Sequence, residues 1–228
     1  MKKLNAKNKR RIELTLLIIF TLLSIFLWDT IVIFPVKILV VLLHEISHGF
    51  AALFTGGGIN GIDITYNLGG ECIVSGGNTL IIASAGYLGS LIWGTLLFTS
   101  SYKFEFSKII ATMISVILFL AVLLYIRSSF GVLVALIFSL LFYLSPRHLP
   151  RNFHIYLLRF IGLVSAMYVI IDIKEDLLTL AYRETDAQRI ADLTGIGAVY
   201  WGLLWLVISI VVLYFLFKYG YSKGIKTK

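Results

Sequence analysis

The sequence predicts an all-α polytopic membrane protein of six to seven transmembrane helices, with a small β-hairpin after the second. Three observations carry this reading. Hydrophobic residues make up 59% of the 228 positions, where a soluble domain has roughly 45–50%. Charged residues are 14%, against roughly 25% in soluble proteins. The apolar residues also fall in long blocks separated by short polar pieces, as expected when lipid replaces water as the solvent.

Seven blocks stand out: about 12–28, 32–54, 79–100, 109–126, 129–144, 155–173 and 199–217. A helical span needs roughly 17–25 residues, so the fifth block is short. It is tilted, re-entrant, or fused with its neighbour across Arg127–Ser129. No soluble unit is long enough to fold alone, and the whole chain, 1–228, reads as one membrane-embedded domain.

The first block is preceded by a basic tail, residues 1–11, with Lys2, Lys3, Lys7, Lys9, Arg10 and Arg11. Positive charge there predicts a cytoplasmic N-terminus and attraction to anionic lipid headgroups. It accounts for much of the net charge of +8, which is not read as affinity for nucleic acid. A cleaved signal is disfavoured, because Trp28 and Asp29 follow the apolar run where small residues would be needed. The single cysteine, Cys72, excludes an internal disulfide and a cysteine-based zinc ribbon. These features suit a bacterial plasma membrane with the N-terminus inside.

Residues 55–78 read TGGGINGIDITYNLGGECIVSGGN. Partly alternating β-branched residues between glycine clusters predict two short strands, with a turn near Asn67–Gly70. Such backbone needs shelter in a cavity or at the interface. In the third block Ala83, Ser84, Ala85, Gly86, Gly89 and Ser90 permit close helix packing. Segment 174–198 is the main hydrophilic loop. Within it Thr185 or Asp186 caps a short helix that runs to about Leu193 and stops at Gly195.

The chemistry concentrates in His44-Glu45-Ile46-Ser47-His48, inside the second block. Residues i and i+4 share a helix face, so both imidazoles reach one tetrahedral zinc ion, with Glu45 beside them as general base. Zinc lowers the pKa of a bound water and yields a nucleophile at ordinary pH. Ionisable groups inside an apolar run are costly and mark function.

A third protein ligand is required. His148 and His154 lie in a basic, proline-containing loop and read as interfacial residues. Asp172 ends the sixth block, and Asp176 follows at i+4 on the same helix face. Blocks two and six run in the same direction if every block crosses, so Asp172 falls at the same depth as His44 and His48. Seven crossings leave the Lys-rich tail outside, against the charge rule; the early charges are given the greater weight.

The run HEISHGFAALFTGG, then a glycine-rich hairpin, then AGYLGS, resembles the site-2 protease family of intramembrane zinc metalloproteases, in its peptidase M50B-like branch. The pieces DIKEDLL, TDAQRIADLTG and WGLLW add to the likeness, which runs from about residue 40 to 206. The resemblance implies a polytopic core with zinc in the membrane, held by His44, His48 and a later aspartate, with Glu45 as base. The matching aspartate is Asp172, with Asp176 and Asp186 as alternatives, since Ile173 follows Asp172 where the family commonly has glycine. The family's Gly-Pro and Asn in the small-residue span are Gly86-Tyr87 and Ser90 here. The hairpin resembles the segment thought to take an unwound substrate by strand addition.

The expected activity is a zinc endopeptidase acting on a transmembrane or membrane-adjacent protein substrate in the lipid bilayer. The alternatives are a non-catalytic protein of the same fold that binds a partner helix or metal, and a metal transporter. The transporter would carry polar residues at several depths, whereas only one cluster is visible; an intact Glu45 argues against the non-catalytic form.

Overall fold

A computed structural model describes the backbone of residues 5–178 and 185–225, and the side chains of 5–174 and 185–225. The elements run α1 (Ala6–Phe26), α2 (Phe34–Phe54), β1 (Gly58–Ile64), β2 (Gly70–Ser75), α3 (Thr79–Ser100), α4 (Phe104–Leu124), α5 (Ser129–His148), α6 (Arg151–Leu178), α7 (Asp186–Thr194) and α8 (Ala198–Lys223).

Among the described residues six helices, α2 to α6 and α8, are long and apolar enough to cross a membrane, and the chain is an integral membrane protein. The expected helical bundle with its hairpin is the fold observed. The fifth block, short in the sequence, continues across Pro146 to His148 and reaches 20 residues as α5. The first block differs. Lys7, Lys9, Arg10, Arg11 and Glu13 occupy the start of α1, so its apolar part begins only at Leu14. The 13 residues from there to Phe26 fall short of the roughly 17 that a span needs.

α3 lies between α2 and α6 and packs along both, α4 and α5 form a hairpin of helices, and α8 covers α6 and α1. Lipid gives helices no hydrophobic reason to associate, so close packing of small residues has to supply it. The α3–α6 contact shows how. A Cβ at Gly94 would stand 2.7 Å from the Gly162 carbonyl oxygen, and one at Gly162 would stand 2.6 Å from the Phe98 nitrogen. The closeness lets Ser165 Oγ donate to the Ser90 carbonyl at 2.9 Å. One apolar cluster joins Leu39, Leu42 and Leu43 of α2 to Ile114, Leu118 and Phe142 of α4 and α5 and to Ile62 and Ile64 of β1. A second joins Leu17, Tyr87, Phe98, Leu163, Trp205 and Leu216 across α1, α3, α6 and α8.

β1 and β2 pair antiparallel, with Ile62 opposite Cys72 and a bulge between Ile59 and Gly61. The turn closes by Thr65 N–H donating to the Gly69 carbonyl at 2.8 Å, with Leu68 at a φ of 64°. The far edge of β1 is occupied. Ile62 N–H donates to the Tyr125 carbonyl at 2.9 Å, and Arg127 N–H donates to the Ile62 carbonyl at 3.1 Å. The far edge of β2 has no strand partner among the described residues. The sheltered hairpin expected from the sequence therefore keeps one open edge.

Candidate metal centre

α2 begins with Pro35 in its first turn, where a missing N–H costs nothing. The helix ends with Thr55 Oγ1 donating to the Ala51 carbonyl at 2.7 Å. Every residue from Ile38 to Gly49 is buried, so both histidines and the glutamate sit in the protein interior. The i, i+4 spacing brings the His44 and His48 rings to 4.8 Å between centroids.

α7 supplies the third group. Thr185 caps it by accepting from the Gln188 N–H at 3.2 Å, and Gly195 ends it with a φ of 71°, as the sequence predicts. Ala187, Ile190 and Ala191 are its buried face, which docks α7 against α3 and α8. Asp186, in the first turn, is thereby aimed at α2. Its Oδ2 stands 3.1 Å from His44 Nε2 and 3.1 Å from His48 Nε2. Burial alone would push the Asp186 carboxyl up. The His48 and His44 imidazoles against it outweigh that and hold it well below the usual carboxylate range.

These three donor atoms lie within 4.8 Å of one another. Nitrogen and oxygen ligands at about 2.0–2.1 Å from a tetrahedral zinc are about 3.3 Å apart, close to both observed separations. The tautomer also fits. His48 Nδ1 is 2.7 Å from the Ile82 carbonyl oxygen, which can only accept, so Nδ1 carries a proton and Nε2 is the nitrogen left to give its lone pair to a metal. Gly86 of α3 closes the cradle, since a Cβ there would overlap His44 Nε2 and stand 2.7 Å from His48 Nε2. Gly89 abuts Ser47 in the same way, and Trp93 Nε1–H donates to Ser47 Oγ at 3.0 Å. Two histidines, one carboxylate and a glycine wall could hold a metal ion.

Asp172 occupies a different position. Its Oδ2 is 3.9 Å from His44 Nδ1, whereas Asp186 meets Nε2. Asp172 does lie beside His44, but the shared point between the two Nε2 atoms is reached by Asp186, which the sequence offers only as an alternative. The side chain of Asp176 lies outside the described residues. His154 departs from its interfacial reading. It is fully buried, because Ser145 Oγ and Ser107 Oγ each stand 3.0 Å from a ring nitrogen and satisfy both. His148 is exposed.

Glu45 is 7% exposed and rests on Gly70 at the start of β2. A Cβ at Gly70 would stand 2.7 Å from Glu45 Cγ. A cavity of about 640 Å³ opens over the site, lined among others by His44, Glu45, His48, Asp186, Arg189 and the β2 residues Gly70, Cys72 and Val74. Its size is that of a small-ligand or peptide site. The contributions of Gly70 and Arg189 were not evident from the sequence; a glycine directly beside a strand was the only local signal.

No curated protein and no solved structure matches the chain. The model of the Peptidase M50B-like family matches residues 16–216, a stretch that contains α2, the hairpin, α3 and α7 whole. The chain belongs to the Peptidase M50B-like family.

Proposed function

We propose that the chain is an intramembrane zinc metalloendopeptidase that cleaves a membrane-embedded or membrane-adjacent peptide bond. His44, His48 and Asp186 hold the metal, and Glu45 is the general base. The observation that carries this is the meeting of both Nε2 atoms on one Asp186 oxygen, 3.1 Å from each, in a cavity that Glu45 also lines.

A bound zinc ion supplies Lewis acidity toward a water and toward the scissile carbonyl. The remaining work falls to side chains. Glu45 accepts the water's proton and returns it to the departing amine. Burial of the site excludes competing bulk water, which strengthens each charge interaction inside. A helical substrate must unwind to expose its bond, since its backbone is hydrogen-bonded internally. The open edge of β2 offers the freed backbone replacement partners by strand addition. Gly70 leaves Glu45 and that strand in contact. The basic residues of the N-terminal tail favour a bacterial plasma membrane with the N-terminus in the cytoplasm.

The test is metal content by mass spectrometry on detergent-purified protein, together with chelator-sensitive cleavage of transmembrane model peptides in proteoliposomes. One zinc per chain in wild type, lost in His44→Ala and Asp186→Asn, together with cleavage abolished by chelation, supports the assignment. Wild type without metal overturns it. Metal without cleavage of any peptide favours the non-catalytic reading. Metal retained in Asp186→Asn but lost in Asp172→Asn returns the third ligand to Asp172.

A further inference from the structure

The two histidines differ in how their second nitrogens are treated. His48 Nδ1 has the Ile82 carbonyl at 2.7 Å. His44 Nδ1 is buried and has no hydrogen-bond partner among the described residues. If Nε2 of His44 faces the metal, Nδ1 carries a proton, and a buried N–H without an acceptor is costly. The acceptor that faces it is Asp172 Oδ2, at 3.9 Å. That separation is too long for a hydrogen bond and short enough for an ion pair.

We infer that Asp172 is a positioning residue for His44: its carboxylate accepts the Nδ1 proton, directly after a small side-chain adjustment or through one water, and so fixes the tautomer and ring orientation with which Nε2 meets the metal. The inference rests on the metalloprotease reading above and deepens it. The geometry separates this role from ligation. The two ring nitrogens direct their bonding atoms away from each other, so a carboxylate on the Nδ1 edge cannot share an ion with Nε2. Asp186 already occupies the Nε2 edges of both rings.

Room for the adjustment exists. The Asp172 side chain is 19% exposed and lines the cavity, which leaves space for a water. Tyr168, one turn earlier on α6, sets its ring 6.5 Å from the His44 ring, edge to face. The imidazole is thus braced by an aromatic on the same helix that carries the carboxylate. Partners that orient a ligating histidine are typically worth about 10–100-fold in metal affinity.

The experiment uses full-length protein in detergent, stripped of metal and titrated with cobalt(II), read by its visible absorption. Wild type is expected to show the intense bands of a four-coordinate site. Asp172→Asn is expected to keep those bands at saturation, shifted in position, with affinity lower by about 10–100-fold. Asp172→Glu keeps the carboxylate and is expected to restore affinity toward wild type, which a fold defect would not allow. Asp186→Asn is expected to lose the bands. Asp172→Asn with wild-type affinity and spectrum overturns this inference while leaving the protease reading intact. Asp172→Asn without four-coordinate bands also overturns it, because Asp172 is then a ligand. Wild type that takes up no cobalt overturns both readings.

Discussion

Gly86 of α3 touches His44 of α2 so closely that the two helices have no space for a Cβ between them. A methyl group at Gly86 would overlap His44 Nε2 and Cε1 and stand 2.7 Å from His48 Nε2. The helices cannot simply part, because Gly89 makes the same kind of contact with Ser47 three residues on. The Trp93–Ser47 hydrogen bond, at 3.0 Å, holds them as well. Gly86→Ala is therefore expected to lower zinc occupancy by about tenfold or more, as displaced ligands do. Gly197→Ala has its nearest atom at 3.8 Å and is expected to bind normally. Metal content of the two purified variants decides the matter.

Glu45 is the only carboxylate on the α2 face that carries the two histidines, and it takes no part in the close donor group of His44, His48 and Asp186. Glu45→Gln keeps shape and volume and removes the base. Cleavage is expected to fall by about 10²–10⁴-fold, the usual worth of general base catalysis, with zinc content unchanged. Single-turnover cleavage beside metal analysis checks both halves. Loss of zinc in this variant would make Glu45 a ligand instead.

The hairpin braces this base. A methyl at Gly70 would lie 2.7 Å from Glu45 Cγ and 2.9 Å from Cδ, so Gly70→Ala must move either the carboxylate or the strand. A misplacement near 1 Å costs about 10²-fold in rate. The expected result is a fall in kcat of that order, with zinc retained. A wild-type kcat would mean that the hairpin does not position Glu45.

The legible and illegible parts of this molecule divide by range along the chain. The meeting of His44 and His48 was readable because helical spacing alone puts the two imidazoles on one face. α7 was readable in outline from Thr185 at one end and Gly195 at the other, both local signals. Its approach to the histidines was not, because the position of Asp186 depends on where Ala187, Ile190 and Ala191 dock, and docking is tertiary. Asp172 ended an apolar run and so drew more notice than Asp186 in a hydrophilic loop, although the latter points inward. The first apolar block looked like a span, yet a cluster of charges at its start shortens the part that lipid can cover. The hairpin's glycines announced a turn, whereas Gly70 against Glu45 required two elements to be seen together.

Cys72 lines the same cavity as His44, Glu45 and His48. Burial, together with the charges of Glu45 and Glu71, pushes its thiol up to about 12. A raised pKa favours the neutral thiol, and the thiolate is the reactive form. At any pH below that value Cys72 carries less thiolate than an ordinary cysteine with a pKa of about 8.5. Its alkylation rate is expected to keep rising about tenfold per pH unit through the range in which an ordinary thiol levels off. Iodoacetamide labelling followed by mass spectrometry, from about pH 7 to 10, measures this. A plateau near the ordinary value would show Cys72 facing open water.

Glu13 of α1 and Arg159 of α6 form a buried ion pair whose partners lie 146 positions apart in sequence. Arg159 donates to Glu13 Oε1 and Oε2 at 2.7 and 2.8 Å, and Tyr102 Oη–H donates to Oε1 at 2.6 Å. The guanidinium also stacks 4.0 Å from the Tyr102 ring centroid. Both charged side chains are almost wholly buried, 0% and 5% exposed. Removing one partner strands the other, and such losses cost about 3–5 kcal/mol. Glu13→Gln is thus expected to lower the thermal midpoint in detergent clearly. Arg159→Lys should not restore the whole network, since an ammonium that meets Glu13 cannot also supply the Nε–H that Arg159 donates to Ser101 Oγ at 3.2 Å. The double change Glu13→Gln with Arg159→Met removes both charges and is expected to recover part of the loss, because replacing a whole buried pair by apolar packing is often neutral. Glu13→Gln alone at wild-type stability would mean that the pair contributes little to joining α1 to the bundle.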